Sequence, residues 1–101
     1  MNNVKLLGRL MKKPEITNEN GEKCTYITLA IRRSLKNEEG VYETDIIDVK
    51  VLRPMCDSIA ECCEKGYLVL VKGSLERLSS ENSMLIIADT ITFCNYHTDW
   101  L

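Results

Sequence analysis

Two runs of alternating apolar residues, joined by a short polar segment, constrain this chain more than any other feature. Ile27, Leu29 and Ile31 recur at every second position, as do Ile47, Val49 and Val51, the period of strands that bury one face. The segment between the runs holds Lys36, Asn37, Glu38, Glu39 and Gly40, too polar to bury and too short for a helical crossover. The stretch from Lys23 to Arg53 therefore reads as a long antiparallel hairpin. Its other face carries Tyr26, Thr28, Ala30 and Arg32 on the first strand and Ile46, Asp48, Lys50 and Leu52 on the second, a mixture suited to contacting something.

The remaining elements are read around that hairpin. Val4, Leu6 and Leu10 alternate with Lys5, Leu7 and Arg9 in a first strand, and Gly8 inside it marks a bend or bulge of the kind that turns a barrel corner. Lys13-Pro14-Glu15 stops the pattern, and residues 17–21 form a turn cluster leading to the second strand. Residues 53–66 predict a short helix: Pro54 suits the first position, Met55, Cys56, Ile59, Ala60 and Cys63 recur at helical spacing, and Gly66 supplies a left-handed cap. Its apolar stripe is expected to plug a barrel end. A fourth strand over residues 67–75 places Val69 and Val71 inside and Leu68, Leu70 and Lys72 outside, and residues 84–93 form a fifth. The expected fold is all-β: a five-stranded OB-fold barrel with one short α-helix between strands 3 and 4. Residues 1–95 make one domain and residues 96–101 a short extension.

Composition narrows the function classes. Of 101 residues 45% are hydrophobic and 28% charged, which suits one soluble domain able to fold without metals or disulfides. Five cysteines with no C-x-x-C pair, and a single histidine, argue against zinc and disulfide frameworks, so neither a metal nor another cofactor is expected. No apolar run is long enough to span a membrane and the N-terminus lacks a signal-peptide core, so a cytoplasmic protein with no membrane partner is expected. A lone His97, no nucleophile paired with a base and no Gly-rich phosphate loop leave catalysis without parts. The net charge of −2 argues against bulk attraction to nucleic acid, yet ten of the thirteen Lys and Arg residues lie at or before Arg53, so a local basic surface is expected.

Several separate stretches, in order and spacing, resemble the bacterial and phage single-stranded DNA-binding protein family. Asn2-Asn3-Val4-x-Leu6-x-Gly8-Arg9-Leu10 with Pro14-Glu15 resembles its first strand, and Leu29-Ala30 followed by Arg32, Arg33 and Lys36 its second. Thr44-Asp45 resembles its third strand, while Ile59-Ala60-Glu61, Lys65-Gly66 and Val69-x-Val71-x-Gly73-x-Leu75 resemble its helix and fourth strand. The resemblance implies non-catalytic binding of single-stranded DNA in replication, recombination or repair. At the positions where the family stacks bases on aromatic rings this chain has Leu35, Ile46, Leu52 and Ser80. The alternative is an OB-fold protein-interaction or primosome-type accessory module with weak nucleic-acid binding, favoured by those missing rings.

The expected nucleic-acid contacts are Arg9, Arg32, Arg33, Lys36, Lys50 and Arg53 to phosphates, with Tyr42, Ile46 and Leu52 beside them. Arg32 is preferred to Arg33, because successive strand residues face opposite ways. Tyr26 is expected to pack with its hydroxyl wet, and Trp100 to pack on the barrel rather than anchor a partner. Leu7, Met11, Leu68 and Leu70 are expected to form an outward apolar patch and a self-interface, giving a homodimer or homotetramer. The family's acidic tail is not seen in the sequence, so tail-mediated protein recruitment is not expected.

Overall fold

The computed structural model of the chain describes residues 1–79 and 83–94; Ser80, His97, Trp100 and the extension 96–101 lie outside the described residues. Its elements run β1 (Val4–Leu10), β2 (Ile16–Glu19), β3 (Glu22–Lys36), β4 (Tyr42–Leu52), α1 (Met55–Cys62), β5 (Leu68–Arg77) and β6 (Met84–Phe93). Neighbouring strands follow the order β1-β5-β6-β4-β3-β2, and β1 also pairs with β3. That extra pairing closes β1, β5, β6, β4 and β3 into a five-stranded barrel, with β2 hairpinned onto its outside. This is the expected barrel, with α1 in the expected place.

Closure rests on a change of partner within β1. Val4 through Arg9 pair with β5. Arg9 and Leu10 then pair with Ala30 and Leu29 of β3. Gly8 is buried at this seam, and a Cβ there would lie 2.9 Å from Ile31 Cγ1 and 3.1 Å from the Ala30 carbonyl oxygen. The missing side chain is what lets the strands cross so closely. The loop before β5 locks the seam: the Leu10 N–H bonds the Tyr67 carbonyl at 2.9 Å, and the Gly66 N–H bonds the Leu10 carbonyl at 2.8 Å.

The core follows the period-2 pattern. Ile27 pairs in register with Val49, and Leu29 with Ile47. Ile27, Leu29, Val49, Val51, Val69 and Val71 are all at most 1% exposed. Cys56, Ile59 and Cys63 bring the helix stripe into the same cluster, against one end of the barrel. The cysteines are free, and burial pushes the Cys63 thiol up to about 11.

Three details differ from the sequence reading. The turn cluster is itself half strand: β2 pairs Ile16–Glu19 with Glu22–Thr25 around Asn20-Gly21, both at positive φ (52° and 82°), the mirror-image turn that suits a tight hairpin. The helix is shorter than expected, with Pro54 as its N-cap and Cys63 as an extended C-cap; Gly66, at φ 92°, serves the loop onto β1 instead of capping. Leu68 is 2% exposed and cannot join an outward patch. It lies at the start of β5, opposite Arg9 where β1 leaves for β3, and its carbonyl accepts from Cys94 N–H at 3.0 Å.

Gly73 marks a second tight point, at a bulge where Lys72 faces Thr90 and Gly73 faces Ala88. A Cβ on Gly73 would collide with the Ile87 carbonyl and the Ala88 backbone, atoms that cannot turn aside as a side chain can. Gly73→Ala is expected to destabilise the barrel by on the order of 3 kcal/mol in urea unfolding. A loss below about 0.5 kcal/mol would mean that β5 and β6 part there at little cost.

Candidate functional site

The outer face of the β3–β4 ribbon is a surface that the barrel leaves partly uncovered and chemically mixed. The register sets its members opposite one another: Tyr26 against Lys50, Thr28 against Asp48, Ala30 against Ile46, and Arg32 against Thr44. The ribbon runs past the barrel: β3 has 15 residues, and its last five, 32–36, are all exposed, as are residues 42–44 of β4. Its far end is pinned by Asn37, whose side-chain oxygen accepts from the N–H groups of Glu39 (2.9 Å) and Val41 (3.0 Å). Gly40, at φ 79°, completes that turn.

A register shift between Arg32 and Lys36 divides the basic residues of this end. Lys36 faces Tyr42, so the tyrosine ring lies under two cations: the Arg32 guanidinium at 4.7 Å and the Lys36 ammonium at 5.5 Å from its centroid. Both distances are within cation–π range. Neither cation has a carboxylate partner among the described residues. Arg33 departs from the expected set. It donates two bonds to Asp45 (3.0 Å each) and one to Glu43 (2.8 Å), residues whose parity places them on the side of β4 opposite Tyr42, Thr44 and Ile46. These bonds hold the Asp45 carboxyl below the usual carboxylate range and raise the Arg33 guanidinium.

Midway along the face, Ile46 is 57% exposed beside Ala30, an apolar spot that the core does not need. Asp48 follows it and accepts a 2.8 Å hydrogen bond from the Thr28 hydroxyl. Beyond Asp48 a three-residue network closes the face: Lys50 Nζ donates to Glu19 Oε1 at 2.7 Å, and the Tyr26 hydroxyl donates to Glu19 Oε2 at 2.6 Å. The Tyr26 hydroxyl is therefore bonded, not wet. Leu52 and Arg53 lie at the near end, where they line a concavity of about 420 Å³ with Gly21, Glu22 and Lys23. Arg53 stands 3.8 Å from Asp57 one helical turn on. Arg9 is on the seam strand, half-buried, opposite Ala30.

Arg32, Lys36, Tyr42, Ile46, Lys50 and Leu52 thus share one face, Arg9 and Arg53 flank it, and Arg33 stands apart. Sequence reasoning missed Glu19, because the strand carrying it was read as part of a turn. It also left out the carboxylates that neutralise Arg33 and Lys50. Leu35, in the shifted segment, is 81% exposed. Among the described residues no group of three or more His, Cys, Asp and Glu is placed to hold a metal ion, and no helix is long and apolar enough to cross a membrane.

The sequence matches the model of the family described as "Single-strand binding protein family" over residues 1–92. It is 35% identical over 100 residues to "Single-stranded DNA-binding protein B" of Bacillus subtilis, spanning 91% of this chain and 88% of that one. It is 32% identical over 83 residues to "Single-stranded DNA-binding protein 1" of Streptococcus pyogenes, where the match spans 81% of this chain and 64% of the relative. Among solved structures, the wild-type single-stranded DNA-binding protein of Thermus aquaticus superposes with a TM-score of 0.78 at 24% identity, over 92% of this chain and 50% of that one. The Plasmodium falciparum protein solved in complex with single-stranded DNA superposes with a TM-score of 0.75 at 24% identity, covering 92% and 94%.

Glu19 generates a pH dependence. Bonds from Lys50 and then Tyr26 lower its pKa. A carboxylate whose folded pKa is depressed contributes stability that is complete above its unfolded value, about 4.3, and is lost as pH falls through the folded value. Glu19→Gln is expected to lower the melting temperature slightly at pH 7 and by less at pH 3. An equal deficit at both values would show that the network contributes nothing through charge.

Proposed function

The chain belongs to the single-strand binding protein family, and from that membership we propose that it binds single-stranded DNA along the outer face of the β3–β4 ribbon, without catalysis, in replication, recombination or repair. The observation that carries this placement is the unneutralised cation pair, Arg32 and Lys36, gathered over the Tyr42 ring at the far end of a solvent-facing strip. Two phosphate-seeking charges on one ring make an entry point for a polyanion, and the guanidinium plane of Arg32 offers a stacking surface for a base. Ile46 and Ala30 then supply an apolar floor in place of a ring, and Lys50 stands further along, released to a phosphate only when Glu19 lets go. Arg9 and Arg53 flank the path at the seam and at the near end.

The second reading, an interaction module with weak nucleic-acid binding, has one observation in its favour: Arg33, Lys50 and Arg53, half of the basic residues expected to meet phosphate, face carboxylates of this same chain. Salt response separates the two. For single strands log K falls with log salt by about 0.7 per neutralised phosphate. Wild type is expected to bind labelled oligo(dT) far better than matched duplex, with affinity falling steeply between low and physiological salt. Arg32→Ala should weaken binding and flatten the slope by close to one contact. Ile46→Trp should strengthen binding with little change in slope, because a base on a new ring gains about 1–3 kcal/mol without charge. Absence of binding at low salt would transfer the assignment to the interaction module.

Self-association is the second part of the proposal. Leu7 and Leu70 lie directly opposite each other on the outer face of β1 and β5, 37% and 42% exposed; Met11, 43% exposed, lies beyond the seam, where its N–H bonds the Thr28 carbonyl. Residues 4–8 of β1 pair with β5 on one side, while the pairing to β3 begins only at Arg9. Among the described residues no strand pairs with the other edge of residues 4–7, which leaves it to a second copy, and such edges seek strands. A homodimer or homotetramer is expected by light scattering at micromolar concentration. Leu70→Glu should reduce the assembly; a wild-type monomer would exclude this interface.

A further inference from the structure

Hydrogen-bond donors on the middle of the ribbon face are already spent on carboxylates of the chain. Lys50 Nζ and the Tyr26 hydroxyl go to Glu19, and the Thr28 hydroxyl goes to Asp48. Asp48 is exposed, forms no ion pair among the described residues, and lies next along the strip from the apolar spot of Ile46 and Ala30. A carboxylate is acceptor-only. With one lone pair taken by Thr28, its remaining acceptor capacity is left for a group seated beside it on Ile46. A base seated there meets an acceptor on its Asp48 side, with Arg32 and Thr44 one step along the strip on the other.

That chemistry discriminates among bases. Cytosine presents an amino donor at N4 and adenine one at N6, whereas thymine presents the O4 carbonyl, and carboxylates accept from the cytosine amino group. The geometry points to Asp48 as a specificity-determining residue that favours amino-bearing bases over thymine at the centre of the path. Near phosphates its charge also lowers affinity for every sequence, so a uniform repulsion and a base preference act together. The first changes all affinities alike. Only the second changes their ratio. The inference rests on the DNA-binding reading above, and the ratio separates the two.

The test compares oligo(dC) with oligo(dT) of equal length, by fluorescence anisotropy at pH 8 and one fixed salt concentration. Cytosine and thymine have the same ring size, so the comparison isolates the edge. Wild type is expected to favour oligo(dC) by roughly five-fold or more, the effect of one charge-assisted bond. Asp48→Asn, which offers an amide donor to O4, should tighten binding to both oligomers and abolish or reverse the preference. Asp48→Val, a good strand former, should also tighten both and bring the ratio near one. Glu43→Gln, which removes a charge from the far side of β4, should leave the ratio unchanged. Equal wild-type affinities, or tighter oligo(dT), would overturn the role of Asp48 while leaving DNA binding intact. A preference that survives both Asp48 substitutions would assign it elsewhere. No binding to either oligomer would remove the DNA-binding reading and this inference together.

Discussion

The barrel depends on β1 serving two strands in succession. Without a side chain at Gly8 the strand can leave β5 and reach β3 within two residues, and the bonds from Leu10 to Gly66 and Tyr67 hold it there. Because β3 is then held by β1 on one edge and β4 on the other, it cannot slip. A slip of one residue would exchange its buried and exposed sets. Ile27 and Leu29 must therefore face in, and Tyr26, Thr28, Ala30 and Arg32 must face out. The composition of the proposed binding path follows from this closure.

Charge on that path is distributed by self-neutralisation more than by the number of basic residues. A solvent-exposed ion pair contributes about 0–1 kcal/mol to stability, so the carboxylates facing Arg33 and Lys50 matter less for holding the fold than for what they deny a ligand. Arg33 is held by two acids, and Lys50 by Glu19. Arg32 and Lys36 keep their charge in solvent over Tyr42. A chain of net charge −2 can then still present a local anion-binding end, with a neutral or acidic middle behind it.

Much of this was legible in the sequence, for a physical reason: strands with one buried face leave a period of two, and β3, β4 and the core of β5 have it. Gly8 and the helix stripe were readable on the same grounds, steric need at a corner and 3.6-residue spacing. What escaped were features too short for a period. Four residues of β2 carry no alternation, and the Asn20-Gly21 turn that announces the hairpin merged with its polar neighbours. Glu19 escaped with it, and so did the fate of Lys50. The shift after Arg32 could not be located from the sequence, and Arg33 stayed among the expected contacts although plain alternation already set it on the other side of the ribbon from Arg32. Leu68 alternates like an outward residue, yet it sits where three strands converge and is covered.

The central claim is that the polyanion enters at the Arg32, Lys36 and Tyr42 end and that Arg33 takes no part. Side-chain NMR of arginine, lysine and tyrosine during titration with a short single-stranded oligonucleotide tests it directly. The account predicts that the Arg32 guanidinium, the Lys36 ammonium and the Tyr42 ring shift first and furthest, with Lys50 following as it leaves Glu19 and Arg33 unchanged on its carboxylates. Early shifts at Arg33, or a response confined to the face of β1 and β5, would contradict it.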